Sequence, residues 1–151
     1  MDYIQEFHDL IRDTSRLIGR EVDMSKVQII DRGMPHKPQS LKPGTMGVYT
    51  FNYKGRFLKI GKAGANSNNR FLYQHYKPGS AMSTLAGSIL PDPDMDGLGI
   101  TEENVGEWIK HNCRRIDILL DVDLGIFTLE LVEAVLHYKY EPKYEGFVSQ
   151  R

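Results

Sequence analysis

Cysteine is almost absent from this chain. Cys113 is the only one in 151 residues, so no internal disulfide can form, and a reducing compartment is the expectation. Long apolar runs are missing as well. Nothing approaches the ~20 consecutive apolar residues of a membrane span, so no membrane role is expected. The N-terminal MDYIQEFHDLIRD is acidic and amphipathic, without the basic start and apolar middle of a secretory signal. A cytoplasmic location follows as an expectation. Internal repeats and low-complexity segments are absent too. The most informative absence is local. No Asp or Glu stands between Arg32 and Lys77, yet that stretch holds nine bases: Arg32, Lys37, Lys42, Lys54, Arg56, Lys59, Lys62, Arg70 and Lys77. All 20 acids lie elsewhere, and the formal net charge of the whole chain is −1. Positive charge gathered on one unit of a near-neutral protein points to an anionic partner with a phosphate backbone.

What is present is ordinary for a globular chain, with 40% hydrophobic and 26% charged residues. The length suits one domain with a substantial core. Apolar residues at helical spacing from Asp2 to Ile18 predict an N-terminal helix that Gly19 stops. Val27 to Ile30 reads as a short strand or a buried turn. Pro35, Pro38 and Pro43 make Gly33 to Gly44 an irregular connector, either an arm that touches phosphates or, by a small margin, a solvated linker. Residues 47–60 carry β-branched and aromatic residues on both sides of Lys54-Gly55, the pattern of a hairpin. Asn66 or Ser67 is placed to cap a helix through Arg70 to Tyr76. Further helices are expected over Ser80 to Leu90, Thr101 to Asn112 and Phe127 to Lys139, with Pro142 beyond the last. RIDILLD, Arg115 to Asp121, reads as a central strand.

The stretch Gly47-Val48-Tyr49, followed by Lys59-Ile60-Gly61, Arg70 and then Glu133 nine residues before Pro142, resembles the GIY-YIG nuclease family. The likeness runs from about Gly47 to Gly146. Each tripeptide is weak alone; their order and spacing with Arg70 and Glu133 are more specific. The resemblance implies an α+β fold with a small three-stranded antiparallel sheet flanked by helices, here with an extra N-terminal helix. Residues 1–45 would pack on a nuclease domain of residues 46–151. It implies a metal-dependent DNA endonuclease that uses one Mg²⁺ or Mn²⁺, acting on duplex or branched DNA. A homo-oligomer or a protein partner would supply specificity.

Hydrolysis of a phosphodiester needs an activated water and cations around the charge that grows on phosphorus. On the resemblance, Tyr49 is the general base, with Lys59 and Lys62 expected to pull its pKa below the usual ~10. Read from the residues alone, it is as well an ordinary strand aromatic. Arg70 is the phosphate clamp, its planar fork suited to two phosphate oxygens, or else a surface helix arginine. Glu133 is the metal ligand, one carboxylate being a normal share of a Mg²⁺ shell, or else part of a solvated helix face with Glu130 and His137. Arg56, Lys62 and Lys77 are assigned to substrate binding. Three positions depart from the family pattern. Lys59 stands where Tyr is usual, Gln74 where a Tyr or His is expected one turn after Arg70, and Glu145 where Asn is frequent. The role of the residue after Arg70 falls to His75, although it would lie roughly 140° around an ideal helix from Arg70. These departures leave room for an alternative, a catalytically weakened nucleic-acid-binding module. Asp92, Asp94, Asp96, Gly97 and Glu103 match the spacing of an EF-hand loop. Pro93 and Gly99 fit that motif poorly, so a plain acidic loop is the preferred reading. Gly55 to Lys62 has the wrong glycine spacing for a P-loop. Cys113 reads as a small buried residue.

Overall fold

The structure is a computed structural model describing residues 1–145. It is α+β, built on one antiparallel sheet. Helix α1 (Tyr3–Ile18) begins where the Asp2 carboxylate accepts the backbone N–H of Gln5 at 3.1 Å, and ends at Gly19 with φ of 92°. Strands β1 (Val27–Gly33), β2 (Thr45–Tyr53) and β3 (Arg56–Ala63) follow. Next come the short helices α2 (Asn68–Leu72) and α3 (Leu85–Ile89) and the longer α4 (Val105–Asn112). Strand β4 (Arg114–Asp121) and helix α5 (Ile126–Tyr140) are the last strand and helix among the described residues.

Among the described residues the sheet has four strands in the order β1-β4-β2-β3, one more than the resemblance implied. The addition is β1, whose Val27, Ile29 and Asp31 pair with Leu120, Ile118 and Ile116. Without it the long apolar β4 would expose an open edge. As read from the sequence, β4 is interior to the sheet. The β2–β3 hairpin turns at Lys54 and Gly55, both at positive φ, a primed turn that matches the twist of its strands. Asn52 steadies it by accepting the Gly55 N–H at 3.0 Å. A bulge follows: Phe51 pairs with Lys59 but Asn52 with Phe57, leaving Leu58 as the extra residue. The carbonyls of Phe57 and Leu58 then accept the N–H groups of Lys143 and Tyr144 at 3.0 Å each. The segment after α5 is thereby hung on the outer edge of β3.

Both faces of the sheet are covered. Tyr3, Phe7 and Ile11 of α1 and Leu129, Val132 and Leu136 of α5 cover Val48, Ile60, Ile116 and Ile118. Tyr49, Phe51 and Leu119 point the other way, into a core closed by Phe71, Tyr76, Leu85, Ile89, Val105 and Ile109. Three expected helices are shorter than their sequence patterns. The helix through Arg70 stops at Leu72; Tyr73 adopts φ of −142°, and residues Gln74–Tyr76 form a separate 3-10 turn. Pro78-Gly79 and Thr84, whose hydroxyl accepts the Gly87 N–H at 3.0 Å, delay α3 to Leu85. Thr101 and Asn104 exchange side-chain bonds to each other's N–H groups, so α4 starts only at Val105. The proline-containing connector is not the plain solvated linker that the sequence narrowly favours. His36 and Leu41 are buried, and Asn68 accepts the Leu41 N–H at 2.9 Å.

Candidate active site between the hairpin and the last helix

The two motif glycines exist to make room. A Cβ on Gly61 would stand on the Tyr49 hydroxyl and 2.6 Å from its ring carbon Cζ; one on Gly47 would lie 2.5 Å from Cε2 of Phe71. The first vacancy lets the Tyr49 ring lie flat across its partner residue on β3. The second lets Phe71 anchor α2 against the sheet. Tyr49 is therefore fully buried, yet its oxygen meets two polar side chains. Arg70 Nε–H donates to Oη at 3.1 Å, and His75 Nε2 lies 2.7 Å from the same oxygen. The tautomer of His75 follows from its other side. The backbone N–H of Leu85 donates to Nδ1 at 3.2 Å, so Nδ1 accepts, the hydrogen resides on Nε2, and the imidazole donates to Tyr49. Burial, reinforced by the charges of Lys59, Arg70 and Arg115, holds His75 neutral with its pKa lowered to about 2.

His75 reaches this position because the helix breaks. Five residues beyond Arg70 on an unbroken helix, it would face elsewhere. The 3-10 turn after Tyr73 swings it back onto the oxygen that Arg70 holds. The same break explains why Gln74, at the expected spacing, has no part in the cluster.

The environment of Tyr49 differs from the expectation in one respect. Its pKa is pushed up to about 12: burial raises it most, Arg70 lowers it, and the charges of Glu133 and Glu145 raise it further. The hairpin lysines expected to lower it are each paired with a carboxylate. Lys62 Nζ donates to Glu133 Oε1 at 2.9 Å, and Lys59 Nζ donates to Glu145 Oε1 at 3.0 Å and Ser83 Oγ at 3.1 Å. The first pair is half-open to solvent and turns the α5 carboxylate toward the hairpin. The second is nearly closed, with Lys59 2% exposed. Lys59 and Glu145, two of the three departures from the family pattern, are thus each other's partners. Such a counter-charge offsets part of the cost of burying the ammonium.

Tyr49, Arg70 and His75 therefore share one oxygen, Glu133 is bridged to the same hairpin through Lys62, and Lys59 sits beneath. Arg56 and Lys77 are outside this cluster. Arg56 is exposed and lines a cavity of about 360 Å³ with His137, Pro142 and Glu145. Lys77 is exposed, with Nζ 5.0 Å from the centre of the Tyr73 ring. His137 donates to the Ile60 carbonyl at 2.6 Å and Glu130 faces solvent, so neither joins Glu133. The acidic loop is turned to another use: Asp92 accepts from the Tyr144 hydroxyl at 2.6 Å and pairs with Lys143 at 2.8 Å, as does Asp94. Cys113 is buried, its thiol pushed up to about 12 by desolvation.

Sequence reading missed a second polar layer below the first. In a strand read as apolar, Arg115 and Asp117 are both fully buried on the Tyr49 face, opposite Phe51 and Tyr49 respectively on β2. Asp117 accepts from Arg115 Nε at 2.8 Å and from Arg32 Nε at 3.1 Å. The only sequence signal was their i, i+2 spacing, which puts both on one face of a strand.

Glu133 suits a hard cation such as Mg²⁺ as a single carboxylate, with one oxygen already bonded to Lys62. Among the described residues no three His, Cys, Asp or Glu side chains gather as a metal site, so water and substrate oxygens would have to supply the rest. No helix among the described residues is long and apolar enough to cross a membrane. No protein-family model, no curated protein and no solved structure matches the chain.

Proposed function

We propose that this protein is a metal-dependent DNA endonuclease of GIY-YIG type. One observation carries the reading: a guanidinium and an imidazole N–H converge on a single buried phenol oxygen, on a hairpin that also reaches the carboxylate of α5. Two donors aimed at one oxygen stabilise the phenolate more than the phenol, which is what a tyrosine base requires. In the reaction, the water oxygen bonds to phosphorus and an ester P–O bond breaks. Tyr49 first loses its own proton to solvent; the phenolate so formed takes the water's proton, and the departing oxygen takes one from solvent. Arg70, at the half-buried edge of the cluster, neutralises the charge that builds on the phosphoryl oxygens. Lys62 does the same once it exchanges Glu133 for phosphate. Glu133 would hold Mg²⁺ or Mn²⁺, which when bound supplies Lewis-acid stabilisation of that charge. Lys59 contributes positive potential from below, acting on His75.

The test is nicking of supercoiled plasmid DNA with Mg²⁺ by the wild type, Glu133→Ala and Tyr49→Phe. Loss of nicking in both variants supports the reading; equal activity in all three removes it. A second reading, a nucleic-acid-binding module that does not cut, is favoured by two features: a phenol pushed up to about 12 and a Glu133 already paired with Lys62. Salt-dependent DNA binding without product at any Mg²⁺ or Mn²⁺ concentration would select it.

A further inference from the structure

The helix break that brings His75 to Tyr49 needs a cause, and residues 68–76 do not contain one. No proline or glycine lies within them. Ending α2 at Leu72 leaves the Phe71 carbonyl, which a continuing helix would give to residue 75, in need of another donor. That donor is Arg115 Nη2, at 2.7 Å. The other arm of the same guanidinium, Nη1, donates to the Tyr76 hydroxyl at 2.9 Å. Phe71 is the neighbour of Arg70, and Tyr76 is the neighbour of His75. One side chain on β4 therefore grips the chain on both sides of the break. It is held firmly itself. Nε donates to Asp117 at 2.8 Å, and the guanidinium lies 4.8 Å from the Phe71 ring centre and 5.2 Å from that of Phe51. The grip continues past Tyr76. His36 Nδ1 donates to the Cys113 carbonyl at 2.7 Å, so its Nε2, 2.8 Å from the Tyr76 hydroxyl, accepts from it. The bonds run from Arg115 through Tyr76 and His36 to the end of α4.

We infer that Arg115 is a positioning residue for the candidate active site: by bonding the Phe71 carbonyl and the Tyr76 hydroxyl it stabilises the broken helix, and so sets Arg70 and His75 together on the Tyr49 oxygen. The inference about placement stands on the geometry; its consequence for rate rests on the proposed hydrolase reading. Lysine cannot replace arginine here, because a single ammonium lacks the planar fork that spans three acceptors.

The experiment uses the full chain, ¹⁵N-labelled at histidine, as wild type, Arg115→Lys and Tyr76→Phe. Tyr76→Phe loosens only the second half of the break and guards against a failure of Arg115→Lys to fold. The readout is the ¹⁵N shift of the His75 ring across pH 4 to 8, with plasmid nicking in parallel. The wild type is expected to show a neutral, Nε2-protonated ring throughout. Both variants are expected to show tautomer exchange and a titration moved toward the ordinary ~6.5, with kcat lower by on the order of 10²-fold for a misplaced group and KM little changed. A folded Arg115→Lys or Tyr76→Phe whose His75 shifts match the wild type at every pH would overturn the inference. If the wild type cuts nothing but the variants release His75, the positioning role stands and the hydrolase reading fails.

Discussion

Replacing Gly61 by alanine tests the core of the site with a single methyl group. Gly61 has ordinary backbone angles, so alanine meets no conformational strain; the conflict is spatial. The new Cβ would overlap the Tyr49 hydroxyl and come within 2.6 and 2.7 Å of its ring carbons. That ring is fully buried and packed against His75 at 4.6 Å and Phe51 at 6.1 Å between ring centres, so it cannot swing aside freely. Overpacking of this kind costs about 1–3 kcal/mol. Displacement of the phenol also breaks its bonds from Arg70 and His75, about 0.5–1.5 kcal/mol each. The unfolded chain, stiffened by alanine, returns about 0.4–1 kcal/mol. The balance is a loss of roughly 1–6 kcal/mol, a large share of the ~5–15 kcal/mol that holds a typical domain folded. Gly64 is the control. It follows the same strand, and no atom lies within 4 Å of a Cβ placed there, so Gly64→Ala should be neutral or slightly stabilising. Urea unfolding followed by circular dichroism measures both, with plasmid nicking alongside. If Gly61→Ala unfolds at the same urea concentration as Gly64→Ala and cuts as well as wild type, the packing of Tyr49 over Gly61 is wrong.

Three further outcomes follow from the same geometry. His75 and His36 are buried neutral, their pKa values lowered to about 2 and about 4, chiefly by desolvation; the unfolded chain, titrating near 6.5, binds more protons below that pH. Their stability contribution is complete above 6.5 and falls as the pH drops, by about 4 kcal/mol together at pH 5, and urea midpoints that stay flat from pH 7 to 5 in the wild type would contradict it. Neutralising the carboxylate of the Lys59–Glu145 pair, as Glu145→Gln, should cost roughly 3 kcal/mol by removing the counter-charge of the buried Lys59 ammonium. The double replacement Lys59→Tyr with Glu145→Asn, the residues usual in the resembled family, should cost less than the summed losses of Lys59→Tyr and Glu145→Asn made singly, and strict additivity in that double-mutant cycle would deny the coupling. If Tyr49 is the base and its pKa is about 12, the nicking rate should climb about tenfold per pH unit from 7 to 9, whereas a rate independent of pH would assign the base elsewhere.

Much of this architecture is legible in local pattern. The amphipathic run of α1, the Lys54-Gly55 turn, the apolar β4 and the α5 terminus near Pro142 each declare themselves within a few residues, because helix and strand periodicities and turn chemistry are short-range properties. The pieces that such reading left open or missed depend on distant partners. Val27 to Ile30, read as a short strand or a buried turn, belongs to the strand β1 because β4 offers it an edge. Arg32, Lys59 and Lys62 belong to a stretch without acids, yet they meet Asp117, Glu145 and Glu133 from the second half of the chain. The one-sided charge in the sequence therefore overstates the positive field at the site.

Residue order alone determined which groups exist for chemistry here: a tyrosine and a glycine at matching places on two short strands, an arginine beyond them, and a carboxylate on the last helix. Tertiary structure decided what those groups do to one another. It broke a helix after Leu72 so that His75 joined Arg70, buried Tyr49 until its pKa rose instead of falling, and paired Lys59 with Glu145. The reason is physical. Periodicity is written in neighbours along the chain, whereas desolvation and ion pairing depend on neighbours in space, and these become available only when the sheet closes.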